Sequence, residues 1–313
     1  MDALTDEDVS KQLSQKIGNL SVKNDILTIC ASCGKEGNDL NVCNKCDLAA
    51  YCNAPCKKKH RKRHKNKCER RVAELHDIEL FKQPPQREDC PICMLPSPSL
   101  DSGSRYKSCC GKDICSGCIH AVEMRDNGVG LCPFCRTPAP NEKEALNQTK
   151  KRVEAGDVEA IFGLGCFYDN GMYGMTKDHA KALELYQQAG ELGYAGAYFN
   201  IGNAYYNGRG VERDEKKANH YYEIAALGGI AAARHNLGWS EQRLGNWDRA
   251  LKHYMIAAGD GLNDSLQNIR RIYAEGNATK EDYTKALLAY QKYLDEVRSE
   301  QRDKAAAADD RFK

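Results

Sequence analysis

The stretch that decides the fold of the first domain runs from residue 30 to residue 68 and is CASCGKEGNDLNVCNKCDLAAYCNAPCKKKHRKRHKNKC. Cysteines recur in it as C-x(2)-C and C-x(3)-C pairs, and it ends on H-x(3)-C. A C-x(2)-C turn directs two thiolates at one ion, and Zn²⁺ takes four such ligands in a tetrahedron. The pattern therefore predicts two metal sites with eight ligands, which are Cys30, Cys33, Cys43, Cys46, Cys52, Cys56, His64 and Cys68.

Two of the ligand pairs have helical spacing. Cys52 and Cys56 are four residues apart, as are His64 and Cys68, so each pair can present both side chains from one face of a helix. A module of about 40 residues cannot bury enough apolar surface to fold alone. The roughly 10–16 kcal/mol of apparent binding energy of a structural zinc ion can replace the missing core.

The whole run resembles a MYND finger, including the dipeptide Tyr51-Cys52 and the ending His64-x(3)-Cys68. The resemblance implies interleaved sites, with Cys30, Cys33, Cys52 and Cys56 on one ion and Cys43, Cys46, His64 and Cys68 on the other. It also implies a protein-interaction module that binds short proline-containing peptides. The alternative is a fold that only holds zinc and contacts its own neighbours.

A basic run lies among these ligands. Residues 57–71 contain ten Lys or Arg and one Glu, although the whole chain has a net charge of only +2. A four-thiolate zinc site carries a formal charge of −2, which favours nearby cations, so a solvated helix face is the preferred interpretation. A nuclear-import or nucleic-acid patch is the alternative, but the run lacks the interleaved aromatic residues of a surface that stacks single strands.

Eight more cysteines follow a predicted helix at residues 69–81 and the break at Pro84-Pro85. Three C-x(2)-C pairs and one adjacent pair predict two further sites. The run resembles an all-cysteine RING finger, which implies cross-braced sites. On that resemblance Cys90, Cys93, Cys115 and Cys118 share one ion, and Cys109, Cys110, Cys132 and Cys135 share the other.

One position departs from the RING pattern. Lys112 stands where most RING fingers have a histidine ligand two residues after their third cysteine, so Cys109 and Cys110 must share one ion. Adjacent side chains of an extended strand point to opposite faces, so the backbone must turn here, and Gly111 can permit the turn. His120 is the alternative ligand.

The resemblance to RING fingers also implies a docking surface for a ubiquitin-charged conjugating enzyme, formed by Ile92, Pro133 and Arg136. A RING ligase does no covalent chemistry itself and accelerates transfer by orienting the bound enzyme. The guanidinium fork of Arg136 suits hydrogen bonds to two partners at once. Each residue also has an ordinary alternative, which is core packing for Ile92, a stiffened turn for Pro133 and plain surface exposure for Arg136.

A repeat begins after residue 156. Leu164-Gly165, Ile201-Gly202 and Leu237-Gly238 recur at steps of 37 and 36 residues, and Tyr186, Tyr222, Tyr254 and Tyr290 recur at steps of 36, 32 and 36. A repeat of this length with two helical patterns per unit predicts a stacked-helix solenoid. The Gly-rich segment at 205–218 resembles the Sel1-like class of helical repeat, which implies a groove for a partner protein.

Composition sets the remaining bounds. The 313 residues are 41% hydrophobic and 29% charged, with no apolar run of transmembrane length and no hydrophobic signal core at the start. We therefore expect a cytoplasmic or nuclear chain with no membrane partner, whose cysteines bind metal rather than form disulfides. The sequence shows no phosphate loop, carboxylate pair or Ser-His-Asp arrangement.

The predicted fold class is multidomain, with two small zinc-stabilised modules followed by an all-α helical-repeat solenoid. The predicted parts are a disordered start at 1–28, a first module at 29–69, a helical linker at 70–88, a second module at 89–137, a linker at 138–155, the repeats at 156–298 and a charged tail at 299–313, which we expect to form a frayed helix. The combination resembles MYND/RING repeat proteins of unicellular algae.

The predicted function is that of a zinc-binding adaptor with four Zn²⁺ ions and no separate catalytic residues, a candidate RING-type ubiquitin-protein ligase. The first module and the repeats would recruit a substrate protein, and the second module would position the conjugating enzyme. The alternative is a non-enzymatic scaffold for protein–protein interaction. We do not expect a nucleic-acid partner, because only the charge run points to one.

Overall fold

The computed structural model describes residues 29–37, 39–99, 103–125 and 130–308. The chain forms two compact units, Met1–Lys82 and Gln83–Lys313. The disorder predicted for residues 1–28 concerns a segment outside the described ranges. Within those ranges, no helix combines the length and the apolar character needed to span a bilayer.

Four short strands and twelve helices make up the regular structure of the described residues. The strands are β1 (Asn41–Val42), β2 (Ala50–Tyr51), β3 (Ser104–Lys107) and β4 (Lys112–Cys115). The helices of the two modules are α1 (Ala54–Leu80) and α2 (Ser116–Arg125). The later helices are α3 (Glu142–Glu154), α4 (Val158–Asn170), α5 (His179–Glu191), α6 (Ala195–Asn207), α7 (Glu215–Leu227), α8 (Ala231–Arg243), α9 (Trp247–Gly259), α10 (Asn263–Ala274), α11 (Lys280–Val297) and α12 (Glu300–Ala308).

Helix α1 begins inside the first module and extends beyond it. The Asn53 side chain caps the helix by accepting a hydrogen bond from the Cys56 amide at 2.9 Å, and Pro55 lies in the first turn, where its missing amide leaves no bond unmade. The helix continues past Cys68, the last predicted ligand. The segment predicted as a linker over 70–88 therefore starts as the final turns of the same helix.

The second module is a β-hairpin followed directly by a short helix. Strands β3 and β4 are antiparallel, with Ser104 opposite Cys115, and α2 follows β4. The buried core of the module contains Ile114, Ile119 and four cysteines, together with Ala305 from the far end of the chain. Because the apolar side chains are so few, the module depends on whatever holds its cysteines together.

Most of the segment predicted as a linker over 138–155 is helix α3. Asn141 and Glu144 form a capping box, in which each side chain accepts a hydrogen bond from the backbone amide of the other. Helix α3 packs against α4, the first helix of the repeats. The second module is therefore joined to the solenoid (α4 to α11) through ordered structure, and both belong to one compact unit.

Successive helices of the solenoid pack on one another in chain order. Tyr186, Tyr222 and Tyr254, which recur at the repeat step, are buried, and Tyr290 at the end of the stack is half-buried. The side chain of an aspartate caps α4, α5 and α7 by accepting hydrogen bonds from amides of the first turn. The predicted solenoid is thus present, and its repeat positions form its core.

One close contact recurs in three repeats. An added Cβ atom at Gly165, Gly202 or Gly238 would lie only 2.6–2.8 Å from the nearest ring atom of a tyrosine in the next helix. The tyrosines are, in the same order, Tyr186, Tyr222 and Tyr254. The glycine–tyrosine spacing found in the sequence therefore corresponds to a ring packed against bare helix backbone, an approach that only glycine permits.

The segment after Arg298 is more buried than its prediction. The sequence predicts a charged tail that forms a frayed helix, and residues 300–308 do form a helix, α12, but it packs against α2 of the second module. Arg302 and Ala305 are buried there. The charged residues and alanines of this segment give no local sign of burial. The helix that covers them, α2, lies far earlier in the sequence.

Replacing Gly202 by alanine should lower the free energy of unfolding by about 1–3 kcal/mol, because the added methyl group overlaps the Tyr222 ring. Gly163→Ala is the matched control, since Gly163 lies in helix α4 with no atom within 4 Å of an added Cβ. This control should gain about 0.5–1 kcal/mol from its lower backbone entropy when unfolded. Urea denaturation followed by circular dichroism measures both changes, and equal effects would contradict the restriction by the ring.

Candidate metal centres

Four groups of four side chains converge in the structure. Within each group the ligand atoms all lie within 4.8 Å of one another. The groups are Cys30, Cys33, Cys52 and Cys56; Cys43, Cys46, His64 and Cys68; Cys90, Cys93, Cys115 and Cys118; and Cys109, Cys110, Cys132 and Cys135. These are the groupings that the two resemblances imply, so every predicted ligand lies beside its predicted partners.

Four of the C-x(2)-C pairs share one backbone geometry. The residue after the second cysteine has a positive φ between 54° and 74°. Its amide donates a hydrogen bond to the carbonyl of the first cysteine at 2.9–3.0 Å. These residues are Gly34, Asp47, Met94 and Arg136. Three of them are not glycine, so the surrounding fold holds them in a conformation that L-residues disfavour, and the turn directs both sulfurs to one point.

Helix α1 supplies ligands to the first module from one face. His64 and Cys68 are one turn apart and belong to the same group, as their spacing predicts. The Nε2 atom of His64 lies 3.3 Å from Sγ of Cys46. His60 is outside both groups, and its Nδ1 lies 3.1 Å from the hydroxyl of the buried Tyr51. This ring therefore packs the short strands against the helix that carries the ligands.

Cys109 and Cys110 join one group because the backbone turns at this point. The amides of Cys110 and Gly111 both donate to the carbonyl of Lys107, at 3.1 and 2.8 Å. Gly111 has a φ of 64°, the left-handed conformation that glycine adopts readily. His120, the alternative ligand, lies in α2 and is not part of this group.

The separations between ligand atoms fit a tetrahedral zinc ion. With Zn–S bonds of about 2.3 Å, two sulfurs of a tetrahedron lie about 3.8 Å apart. The sulfur–sulfur distances are 3.7 Å for Cys33–Cys52, 3.9 Å for Cys43–Cys68, 3.8 Å for Cys93–Cys115, 3.8 Å for Cys110–Cys132 and 3.4 Å for Cys109–Cys135. Four thiolates, or three and an imidazole, are donor sets that zinc prefers, so the residues fit this ion.

One thiol in each group has a lowered pKa. The backbone amides of Cys52 and Cys33 lower the pKa of Cys30 to about 6 by bonding to its sulfur. Burial opposes ionisation of Cys135, but hydrogen bonds with Thr137 outweigh it and lower the pKa of this thiol to about 6. Such bonds stabilise the thiolate, which is the form that binds metal.

The three predicted docking residues lie on the cysteine turns of the second module. Ile92 lies between Cys90 and Cys93 and is 40% exposed, so it does not fill the core. Pro133 is half-buried, and Arg136 is exposed. Arg136 is also the left-handed residue of its turn, which fixes the direction in which its side chain leaves the backbone.

The basic run occupies the outer side of α1. Its Lys and Arg residues are exposed, except for the half-buried Arg71, while the ligands of the same helix are wholly or partly buried. Lys65 pairs with Glu69 across one turn, and Arg71 pairs with Glu74. This is the arrangement of a solvated helix face, which was the preferred interpretation of the run.

Two arginines outside the predicted ligand set contact the second module. Arg302 of α12 donates to Sγ of Cys93 at 3.7 Å, and Arg152 of α3 donates to the carbonyl of Ser108, next to Cys109. No local sequence signal marks either arginine, because each contact joins parts of the chain that are far apart in sequence.

The models of two protein families match parts of this chain. The MYND finger matches residues 30–68, and the Sel1 repeat matches residues 158–194 and 195–230. The chain therefore carries a zinc-binding MYND finger near its start, followed by a helical solenoid with Sel1 repeats, which are protein-interaction modules.

Curated relatives share a limited part of their length with this chain. The ERAD-associated E3 ubiquitin-protein ligase component HRD3B of Arabidopsis thaliana is 33% identical over 98 residues, which are 31% of this chain and 15% of that protein. The sel1-like repeat-containing protein L21 of Acanthamoeba polyphaga mimivirus is 30% identical over 135 residues, 42% of this chain and 24% of that protein. This chain thus spans less than a quarter of the length of either relative.

A solved structure of similar arrangement is that of a Sel1 repeat protein from Oxalobacter formigenes. It is 25% identical in sequence, and the match covers 63% of this chain and 79% of that chain with a TM-score of 0.44.

Replacing Gly111 by alanine should lower the free energy of unfolding by roughly 2–4 kcal/mol. A left-handed alanine costs about 1–2 kcal/mol, and the added Cβ would lie 2.3 Å from Nη1 of Arg152 and 2.8 Å from Asp157, forcing apart a bonded pair. Gly156→Ala is the control, because its φ is 78° but nothing lies within 4 Å of an added Cβ. Urea titration should show the smaller loss for Gly156→Ala, and equal losses would contradict the predicted clash.

Proposed function

We propose that this chain is a zinc-binding interaction adaptor that acts as a RING-type ubiquitin ligase. The observation that carries the proposal is the pair of four-cysteine groups within residues 90–135, whose turns present Ile92 and Arg136 to solvent. The adaptor role rests on the MYND finger and the Sel1 repeats.

The proposed activity requires no reacting side chain from this protein. Ile92 and Pro133 would form an apolar seat for the conjugating enzyme, and Arg136 would donate hydrogen bonds to that enzyme and to the ubiquitin it carries. Holding the two in one orientation removes much of the entropic barrier to transfer. Zinc, when bound, supplies structural cross-links between the ligands of each group and no reacting atom.

Substrate recruitment would fall to the MYND finger and the solenoid. We expect the finger to bind proline-containing peptides and the solenoid to bind a folded or extended protein segment. The name of HRD3B makes that relative a component of a ubiquitin ligase, which supports a link to ubiquitination through the part of the chain that the two proteins share.

A non-enzymatic scaffold is the second candidate. One observation favours it. The second module contacts α3 and α12, so part of its surface is occupied by its own unit and is not available to a conjugating enzyme. A scaffold would bind partners through the finger and the solenoid without engaging any conjugating enzyme.

The zinc content of the purified chain should be four ions, one for each group of ligands. Cys135→Ser should lower it to about three, because an alcohol replaces one thiolate of its group. Cys166→Ser is the matched control, since this cysteine lies outside all four groups, beside the hydroxyl of Tyr186 at 3.5 Å. Plasma emission spectrometry measures the metal, and a wild-type content near two would contradict zinc binding by one of the modules.

A self-ubiquitination assay with a panel of conjugating enzymes tests the proposed activity. We expect ubiquitin chains with the wild type and at least a tenfold loss of rate with Ile92→Ala and Arg136→Ala, which remove contacts worth about 1.4 kcal/mol or more each. Leu288→Ala is the control, because Leu288 is an exposed leucine on α11.

The control must retain the wild-type rate. Absence of chains with every enzyme, from protein that holds its zinc, would overturn the ligase proposal and favour the scaffold.

A further inference from the structure

The second module contacts α3, which precedes the solenoid, and α12, which follows it. We propose that this module is a clasp that joins the two ends of the solenoid, with one cysteine group facing each end. The inference rests on zinc binding by the module but not on ligase activity, and it gives the module a role within its own chain.

The C-terminal end of the unit is held by Arg302, which is only 7% exposed. Its Nη2 lies 3.7 Å from Sγ of Cys93 and 3.4 Å from the carbonyl of Leu95. Its Nη1 donates to the carbonyls of Pro96 and Val297, at 2.9 and 2.7 Å. One guanidinium therefore ties the first turn of the module to the last turn of α11.

Helix α12 also packs closely against the second module around Arg302. Ala305 is fully buried in the core of the module, among the cysteines. An added Cβ at Gly117 of α2 would lie 2.8 Å from the backbone nitrogen of Arg302, so α12 rests directly on the backbone of α2. Gln301 approaches Cys118 at 3.9 Å. Helix α12 is thus part of the module, although it follows the solenoid in sequence.

The N-terminal end of the unit is held at the other cysteine group. Arg152 of α3 donates to the carbonyl of Ser108, and its Nη1 lies 3.1 Å from the carboxylate of Asp157, the residue that caps α4. The hydroxyl of Tyr106 in β3 donates to the same carboxylate at 2.8 Å. The turn that carries Cys109 is therefore bonded to the start of the solenoid.

Two further contacts join the N-terminal part of the module to the C-terminal end of α11. Arg87 bonds to Glu296 at 2.7 Å and lies over the ring of Tyr293, 4.6 Å from its centroid. The amide of Ser99 donates to the Tyr293 hydroxyl at 3.1 Å. The end of α11 is therefore held by several residues besides Arg302.

Charge explains why an arginine occupies the C-terminal anchor. Four thiolates around one zinc ion leave a formal charge of −2 in a site where Cys90, Cys115 and Cys118 are buried. A buried anion needs a nearby cation, and arginine remains charged throughout the physiological range. Arg302 supplies that cation, so retention of zinc at this site and docking of α12 should depend on each other.

Hydrogen exchange with mass spectrometry on the full chain tests the dependence in one direction. Cys90→Ser removes a ligand of the site that faces α12 and should make the amides of residues 300–308 exchange about tenfold faster or more. Cys33→Ser, which removes a ligand from the first module, should leave this peptide within twofold of the wild type. Unchanged exchange of residues 300–308 in Cys90→Ser would overturn the clasp.

Zinc release tests the dependence in the other direction and does not require a ligand to be removed. Transfer of one zinc ion to a chromogenic chelator should be at least about fivefold faster in Arg302→Gln than in the wild type. Arg298→Gln is the matched control, because the side chain of that arginine is 72% exposed and pairs with Asp303 at 3.3 Å, away from the cysteines. Equal release from Arg302→Gln and the wild type would overturn the clasp alone, whereas a wild-type second module without zinc would overturn the proposed function as well.

Discussion

Convergence of four ligand atoms on one point is the constraint on which both small modules depend. The buried core of the first module consists of Tyr51, Ala49 and three cysteines, and that of the second has two isoleucines beside its cysteines. Cores of this size cannot offset the conformational entropy of their chains. Zinc–ligand bonds supply the difference in the first module, and the zinc ions proposed for the second module would do the same there. The left-handed turns after four of the cysteine pairs direct both sulfurs of each pair to the same point.

The features that could be predicted from sequence are those that depend on local spacing. Cysteine pairs three and four residues apart indicate a geometry formed within one turn, and a tyrosine that recurs with the repeat indicates one formed within a pair of helices. The sequence indicates less clearly that Cys109 and Cys110 share one ion. Their convergence depends on backbone hydrogen bonds to the carbonyl of Lys107, and side-chain types do not report such bonds. The sequence did not predict the packing of α3 and α12, because it depends on residues distant in sequence, Ser108 and Cys93 among them.

The two cysteine-rich modules differ in how much of the chain they need. The first is completed by α1, the helix that contains its last three ligands, so its fold depends on residues close together in sequence. The second takes Ala305 of α12 into its core, is contacted by Arg302 of the same helix, and bonds through Tyr106 to the carboxylate that caps α4. Substitutions in α12 should therefore affect a module whose cysteines lie in the first half of the sequence.

The contact between Cys93 and Arg302 also fixes an order of events during synthesis, since 209 residues separate the two. At a translation rate of about 5–20 residues per second, the arginine emerges from the ribosome roughly 10–40 s after the cysteine. Until Arg302 is available, the thiolate site of the nascent module lacks the cation that we propose stabilises it. Zinc at this site should therefore be held less tightly on the incomplete chain than on the finished one.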